Sequence, residues 1–92
     1  MKYFALIYQG VPDYFERRTP LREGHLARAR ESQSRGELLV AGALENPPGS
    51  LFIFRCEDDA PVRAFAAADP YVTGNIVLKW SVQPWLVSIG GN

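Results

Sequence analysis

Two short segments of this chain are apolar on both of their alternating sets. They are Lys2–Tyr8 after its first residue (Lys-Tyr-Phe-Ala-Leu-Ile-Tyr) and Leu51–Arg55 before its last (Leu-Phe-Ile-Phe-Arg). Successive side chains of a strand point to opposite faces, so a strand apolar throughout belongs in a sheet covered on both sides. The chain has 92 residues, which is material for one domain over 1–92. A domain of this size buries only about 60–65% of the surface its unfolded chain exposes, so a lone copy is marginally stable.

The remaining elements follow from local signals. Gln9–Arg18 holds Gly10, Pro12 and Asp13 and reads as a loop. Thr19 and Pro20 read as the N-cap and first residue of a helix running to Arg35, with Gly36 as its left-handed stop. Glu37–Leu44 reads as a strand, Asn46-Pro47-Pro48-Gly49 as a turn, and Asp58-Asp59-Ala60-Pro61 as the opening of a second helix. That helix is expected to end at Asp69, because Pro70 disfavours helical geometry in the residue before it. From Ile76 to Leu86, the set Ile76, Leu78, Trp80, Val82, Leu86 alternates with Lys79, Ser81 and Gln83, the period of a strand. Pro84 cannot donate to a ladder and places this strand at an edge. Trp80 and Trp85 differ in parity and should face opposite sides.

The order βαββαβ predicts an α+β, ferredoxin-like fold: a four-stranded antiparallel sheet with two helices on one face. The other face still carries apolar residues, and a second copy of the chain is the simplest cover, so a homodimer is expected.

Composition narrows the function. Ten Lys and Arg balance ten Asp and Glu. A nucleic-acid binder carries a basic excess that releases counterions from phosphate, so neither nucleic acid nor an anionic membrane is expected as a partner. One histidine and one cysteine cannot build a structural zinc site, and no metal or cofactor is expected. No apolar run reaches transmembrane length and no signal peptide is visible, which suggests a cytoplasmic protein. Cys56 reads as a packed small hydrophobe. Gly90-Gly91 lacks the strand–helix context of a phosphate loop.

At about 3.6 residues per turn, the first helix places Leu21, Arg22, His25, Leu26, Ala29, Ser32 and Gln33 on one half. Glu23, Arg28, Arg30, Glu31 and Arg35 fall on the other, solvent-facing half. Arg22 and His25 therefore sit on the face expected to be buried. The plain alternative is a satisfied core histidine and an arginine reaching out to water at the helix end. In the second helix, Asp69 prolongs the stripe Val62, Phe65 at a helix C-terminus, where the macrodipole disfavours an anion. It reads either as a site residue or as an Asx turn before Pro70. The topology sets the helices side by side and antiparallel, so Arg22 and His25 should neighbour Asp69. A histidine beside a carboxylate has a fixed tautomer and suits general acid–base work.

The run Glu-Arg-Arg-Thr-Pro-Leu-Arg-Glu-Gly-His-Leu-Ala-Arg-Ala over 16–29 resembles the YciI-like (YCII-related) family. So do Gly-Glu-Leu-Leu-Val-Ala-Gly-Ala over 36–43, Phe-Ala-Ala-Ala-Asp-Pro-Tyr-Val over 65–72, and the closing Val82-Gln83-Pro84. The resemblance implies a ferredoxin-like fold of the dimeric α+β-barrel kind. It also implies that His25 and Asp69 match the family's proposed catalytic pair. Ala43 departs from the pattern, since proline follows the glycine in many relatives, which implies a changed pocket lip rather than a changed dyad.

These readings lead to an enzyme of the lyase or isomerase type, free of cofactor, acting on a small oxygenated compound, cyclic or derived from an aromatic ring. His25 would move the proton, Asp69 would orient it, and Arg22 would hold an anionic oxygen. Tyr71, and Arg18 at the end of the cluster leading into the site, join Arg22 as expected substrate contacts. The alternative is a non-catalytic ligand-binding or regulatory dimer.

Overall fold

The computed structural model describes residues 1–91. Its sheet has four strands in the order β2-β3-β1-β4, all neighbours antiparallel. The strands are β1 (Lys2–Gly10), β2 (Leu38–Glu45), β3 (Pro48–Cys56) and β4 (Val77–Trp85). The helices are α1 (Tyr14–Arg17), α2 (Arg22–Ser34), α3 (Ala60–Ala68) and α4 (Pro70–Thr73). This is the expected ferredoxin-like arrangement, with the two apolar strands β1 and β3 at the centre and β4, which carries Pro84, at an edge.

Register divides the sheet's side chains cleanly. Phe4, Leu6 and Tyr8 of β1 pair with Phe54, Phe52 and Ser50 of β3, and all six are buried beneath the helices. All but Ser50 form one core with Ala29 of α2 and with Val62, Phe65 and Ala66 of α3. Tyr3, Ala5 and Ile7 point to the other face, opposite Arg55, Ile53 and Leu51.

Local structure departs from expectation in places that matter for the site. The segment 9–18 is not all loop: Gln9 and Gly10 finish β1, and Tyr14–Arg17 forms a helical turn. Thr19 does not cap a helix; Thr19–Leu21 is a 3-10 turn, without a side-chain cap, that leads into α2. The far end of α2 behaves as expected. Gly36 takes φ +79°, its N–H bonds the Gln33 carbonyl and the Glu37 N–H bonds the Ser32 carbonyl, the double closure of a Schellman motif.

On β4 the strict alternation fails at one residue. Gln9 pairs with Lys79 but Gly10 pairs with Val77, so Leu78 is the extra residue of a bulge and lies 61% exposed. Trp80 still packs on the core while Trp85, opposite Tyr3, lies on the open face, as their parity requires. Leu86 falls beyond the strand and is exposed.

Candidate active site

Asp69 stands at the junction of two helices. Pro70 ends α3, as its geometry demands, yet it also begins α4, so Asp69 is both the C-cap of one helix and the N-cap of the next. Its backbone is extended (φ −68°, ψ 130°) and its Oδ1 accepts from the Tyr71 N–H at 3.0 Å. The anion that looked misplaced at a C-terminus is thus in the favoured place at an N-terminus. The Asx turn and the site reading hold together, because the cap leaves carboxylate capacity to spare.

That capacity is used by two side chains from distant parts of the sequence. His25 Nδ1 lies 2.9 Å from both Asp69 oxygens, and the Tyr8 hydroxyl donates to Oδ2 at 2.7 Å. Asp69 is fully buried and His25 nearly so. An ionised carboxylate can only accept, so Nδ1 carries the proton, and Nε2 holds the lone pair in the neutral ring. Nε2 makes no hydrogen bond among the described residues, and His25 lines a cavity of about 130 Å³.

Aromatic packing fixes the imidazole plane. Tyr71 stacks on it at 3.8 Å and 6°, and Phe52 meets it edge-on at 5.7 Å. Tyr14 in turn packs edge-on against Tyr71 at 5.7 Å. Burial and the Asp69 charge push the Tyr8 hydroxyl well above the usual tyrosine range. Burial also raises Tyr71, against the opposing pull of Arg18 and Arg22. Both hydroxyls therefore remain donors at neutral pH.

The structure brings together all five of the residues singled out by sequence: Arg18, Arg22, His25 and Tyr71 line the cavity, and Asp69 holds His25 from behind. The arginines do not share burial as expected. Arg22 is exposed at the cavity mouth, whereas Arg18 is half-buried. Arg28, expected in water, is half-buried because its guanidinium donates to the Phe65 carbonyl at 2.8 Å and lies over the Phe65 ring. Gln33 is exposed rather than on the buried face. Arg22, Gln33 and Arg28 flank the buried stripe of His25, Ala29 and Ser32 on its two sides, so helical angle alone does not decide which of them is covered.

Sequence reasoning missed Tyr8, Tyr14 and Ser50. Tyr8 had a visible signal, a polar tip at the end of the set Phe4, Leu6, Tyr8, but its partner lies 61 residues away. Ala41, Gly42 and Ala43 of β2 form the cavity's far wall, so Ala43 is at its lip. Cys56 is buried in the core, where burial raises its thiol. Among the described residues no group of three or more His, Cys, Asp or Glu could hold a metal ion, and no helix is long and apolar enough to cross a membrane.

The sequence model of the YCII-related domain matches residues 1–86. A protein of Haemophilus influenzae described as uncharacterised is 33% identical over 93 residues, covering 90% of this chain and 95% of that protein. Protein YciI of Escherichia coli O6:H1 is 33% identical over 92 residues, covering 89% and 94%. Among solved structures, the chain is similar to 5-chloro-2-hydroxyhydroquinone dehydrochlorinase from Burkholderia phenoliruptrix, solved with 2,5-dihydroxybenzoquinone. The TM-score is 0.79 at 19% identity, covering 94% and 95%. An antibiotic biosynthesis monooxygenase matches with a TM-score of 0.57 at 13% identity, covering 97% and 100%. At these identities the structural likeness speaks to the fold.

Proposed function

The chain belongs to the YCII-related domain family, and from that membership and the His25 geometry we propose a cofactor-independent enzyme of the lyase or isomerase type. Its substrate is a small oxygenated ring, carrying an acidic hydroxyl or a carboxylate. The observation that carries this reading is the imidazole held by Asp69 through Nδ1, on the wall of a cavity rimmed by Arg18 and Arg22.

In this reading His25 Nε2 takes a proton from the bound ring and returns it, or passes it on, as the bond order rearranges. Asp69 keeps the tautomer and offsets the positive charge that appears on the imidazolium. Arg22 and Arg18 hold the anionic oxygen and draw negative charge away from the reacting carbon. Tyr71 keeps the imidazole plane fixed and adds a hydroxyl donor at the same wall. A dehydrochlorinase among the structural neighbours supports proton abstraction followed by loss of a leaving group; an isomerase needs the same base and returns the proton elsewhere.

The proposal includes a homodimer joined through the open sheet face, where Ile7, Val40, Leu44 and Trp85 stand exposed on one surface.

The test is turnover of a panel of small hydroxylated rings and lactones, 5-chloro-2-hydroxyhydroquinone included, followed by substrate loss and chloride release. Wild type should consume at least one, and His25→Ala should slow it by about a hundredfold or more, with binding changed far less. Binding of panel members without consumption would replace the enzyme by the ligand-binding module.

A further inference from the structure

The cavity has a second polar wall that the His25–Asp69 pair does not use. Ser50 lies on the helix-facing side of β3, between Tyr8 on β1 and Ala43 on β2, and lines the cavity with His25. The positions that follow it on that side, Phe52, Phe54 and Cys56, are apolar and buried. A hydroxyl in such a row is costly unless it is bonded. Ser50 Oγ is bonded, to the Tyr14 hydroxyl at 2.7 Å.

The direction of that bond follows from what each hydroxyl can reach. Tyr14 is fully buried, and its hydroxyl has no other acceptor among the described residues. If Ser50 donated, the Tyr14 proton would be buried and unpaired, so Tyr14 donates and Ser50 accepts. The Ser50 proton is then free for the cavity. Burial, which pushes the Tyr14 hydroxyl up to about 12, keeps it a donor at neutral pH.

Backbone packing is shaped to hold this pair. A Cβ at Gly10 would come within 2.5 Å of the Tyr14 ring, so glycine there lets the ring lie against the end of β1. A Cβ at Gly49, next to Ser50, would collide with the Tyr8 carbonyl oxygen, so glycine there allows β1 and β3 to close together beneath the site. The Tyr14 ring also supports Tyr71, the residue stacked on His25. One side chain thus braces both walls.

We propose that Ser50 is a substrate-binding residue whose hydroxyl, aimed by Tyr14, donates a hydrogen bond to an anionic oxygen of the ring bound between it and His25. Tyr14 is a positioning residue that acts through Ser50. Negative charge that grows on that oxygen as His25 removes a proton meets a donor already in place. The inference rests on reading this cavity as the substrate site, and it adds a specificity: a ring needs an oxygen facing β3 as well as an acidic group facing Arg22.

The experiment is calorimetric titration with 2,5-dihydroxybenzoquinone as the probe. The proteins are wild type, Ser50→Ala, Tyr14→Phe, the double variant and Arg22→Gln. Ser50→Ala should weaken binding about ten- to a hundredfold, the range of a hydrogen bond to a charged group. Tyr14→Phe should weaken it about three- to tenfold in the wild-type background and not at all in the Ser50→Ala background. A purely structural Tyr14 would cost the same factor in both backgrounds, which would overturn its positioning role. Tyr14→Phe removes one oxygen and no carbon, so it decides the case even if Ser50→Ala folds poorly. Loss of binding with Arg22→Gln but not with Ser50→Ala keeps the cavity as the substrate site and overturns the role of Ser50. No binding by wild type overturns both.

Discussion

The covered face of the sheet hides polar atoms and satisfies them, while the open face presents apolar atoms to water. On the covered side Asp69 is at 0% exposure and accepts from Tyr8, Tyr71 and His25. On the open side Ile7, Leu44, Trp85 and Val40 are between 37% and 62% exposed. A small domain has few places where it can depart from burying oil and exposing charge, and each departure has a use. The buried polar chain holds one histidine in one orientation. The exposed apolar patch is the surface through which the proposed homodimer would join.

Removing the centre of the buried chain should have the largest effect. Asp69→Ala leaves the Tyr8 hydroxyl, the Tyr71 N–H and His25 Nδ1 without their acceptor, and should destabilise the fold by about 3–5 kcal/mol. Urea unfolding measures it, and a cost under about 1 kcal/mol would mean that the covered face tolerates unpaired donors as water does.

A charge placed on the other face tests the second half of the contrast. Ile53→Glu, at the middle of the open side of β3, should convert a species of twice the chain mass into a monomer at micromolar concentration. Sedimentation velocity decides, and a wild type that is already monomeric would mean that a second copy does not cover the apolar face.

Alkaline pH separates the faces without mutation of the site's histidine. Burial raises the Tyr14 hydroxyl from 10.0 to about 12, so the folded state holds that proton more tightly than the unfolded one. Its stabilising contribution is complete below the unfolded value of 10.0 and is lost as pH rises through about 12. Tyr14→Phe should cost about 1 kcal/mol at neutral pH and then lose stability less steeply than wild type across that window. Chemical denaturation at stepped pH would show it; parallel curves would place the alkaline loss elsewhere.

The smallest effect belongs to an apolar residue that serves neither face. Leu78 projects from the β4 bulge, and Leu78→Ser should change stability by less than about 0.5 kcal/mol and leave the oligomer intact. A larger change would extend the apolar interface beyond the sheet surface.

The strands were legible because β1, β3 and β4 carry strong period-two or wholly apolar patterns. The bulge at Leu78 was not, since it is set by pairing with Gly10 rather than by anything in β4 itself. His25, Asp69 and their meeting were legible from topology, because antiparallel helices must bring the start of one beside the end of the other. The rest of the site was not. Tyr8 and Ser50 sit within apolar strand runs, where a hydroxyl looks like an edge of the core. The exposure of Arg22 and the burial of Arg28 were not legible either, because both flank the stripe of His25, Ala29 and Ser32, and it is the Phe65 carbonyl and ring of α3 that cover Arg28.

The proposed proton transfer needs Asp69 to hold His25 with Nδ1 protonated and Nε2 bare. The chain has a single histidine, so long-range proton–nitrogen NMR of its imidazole reads the tautomer without assignment ambiguity. The neutral ring should take the Nδ1–H form in wild type and lose that preference in Asp69→Asn. A neutral ring protonated at Nε2 in wild type would contradict it, because the nitrogen assigned to take the substrate's proton would already carry one.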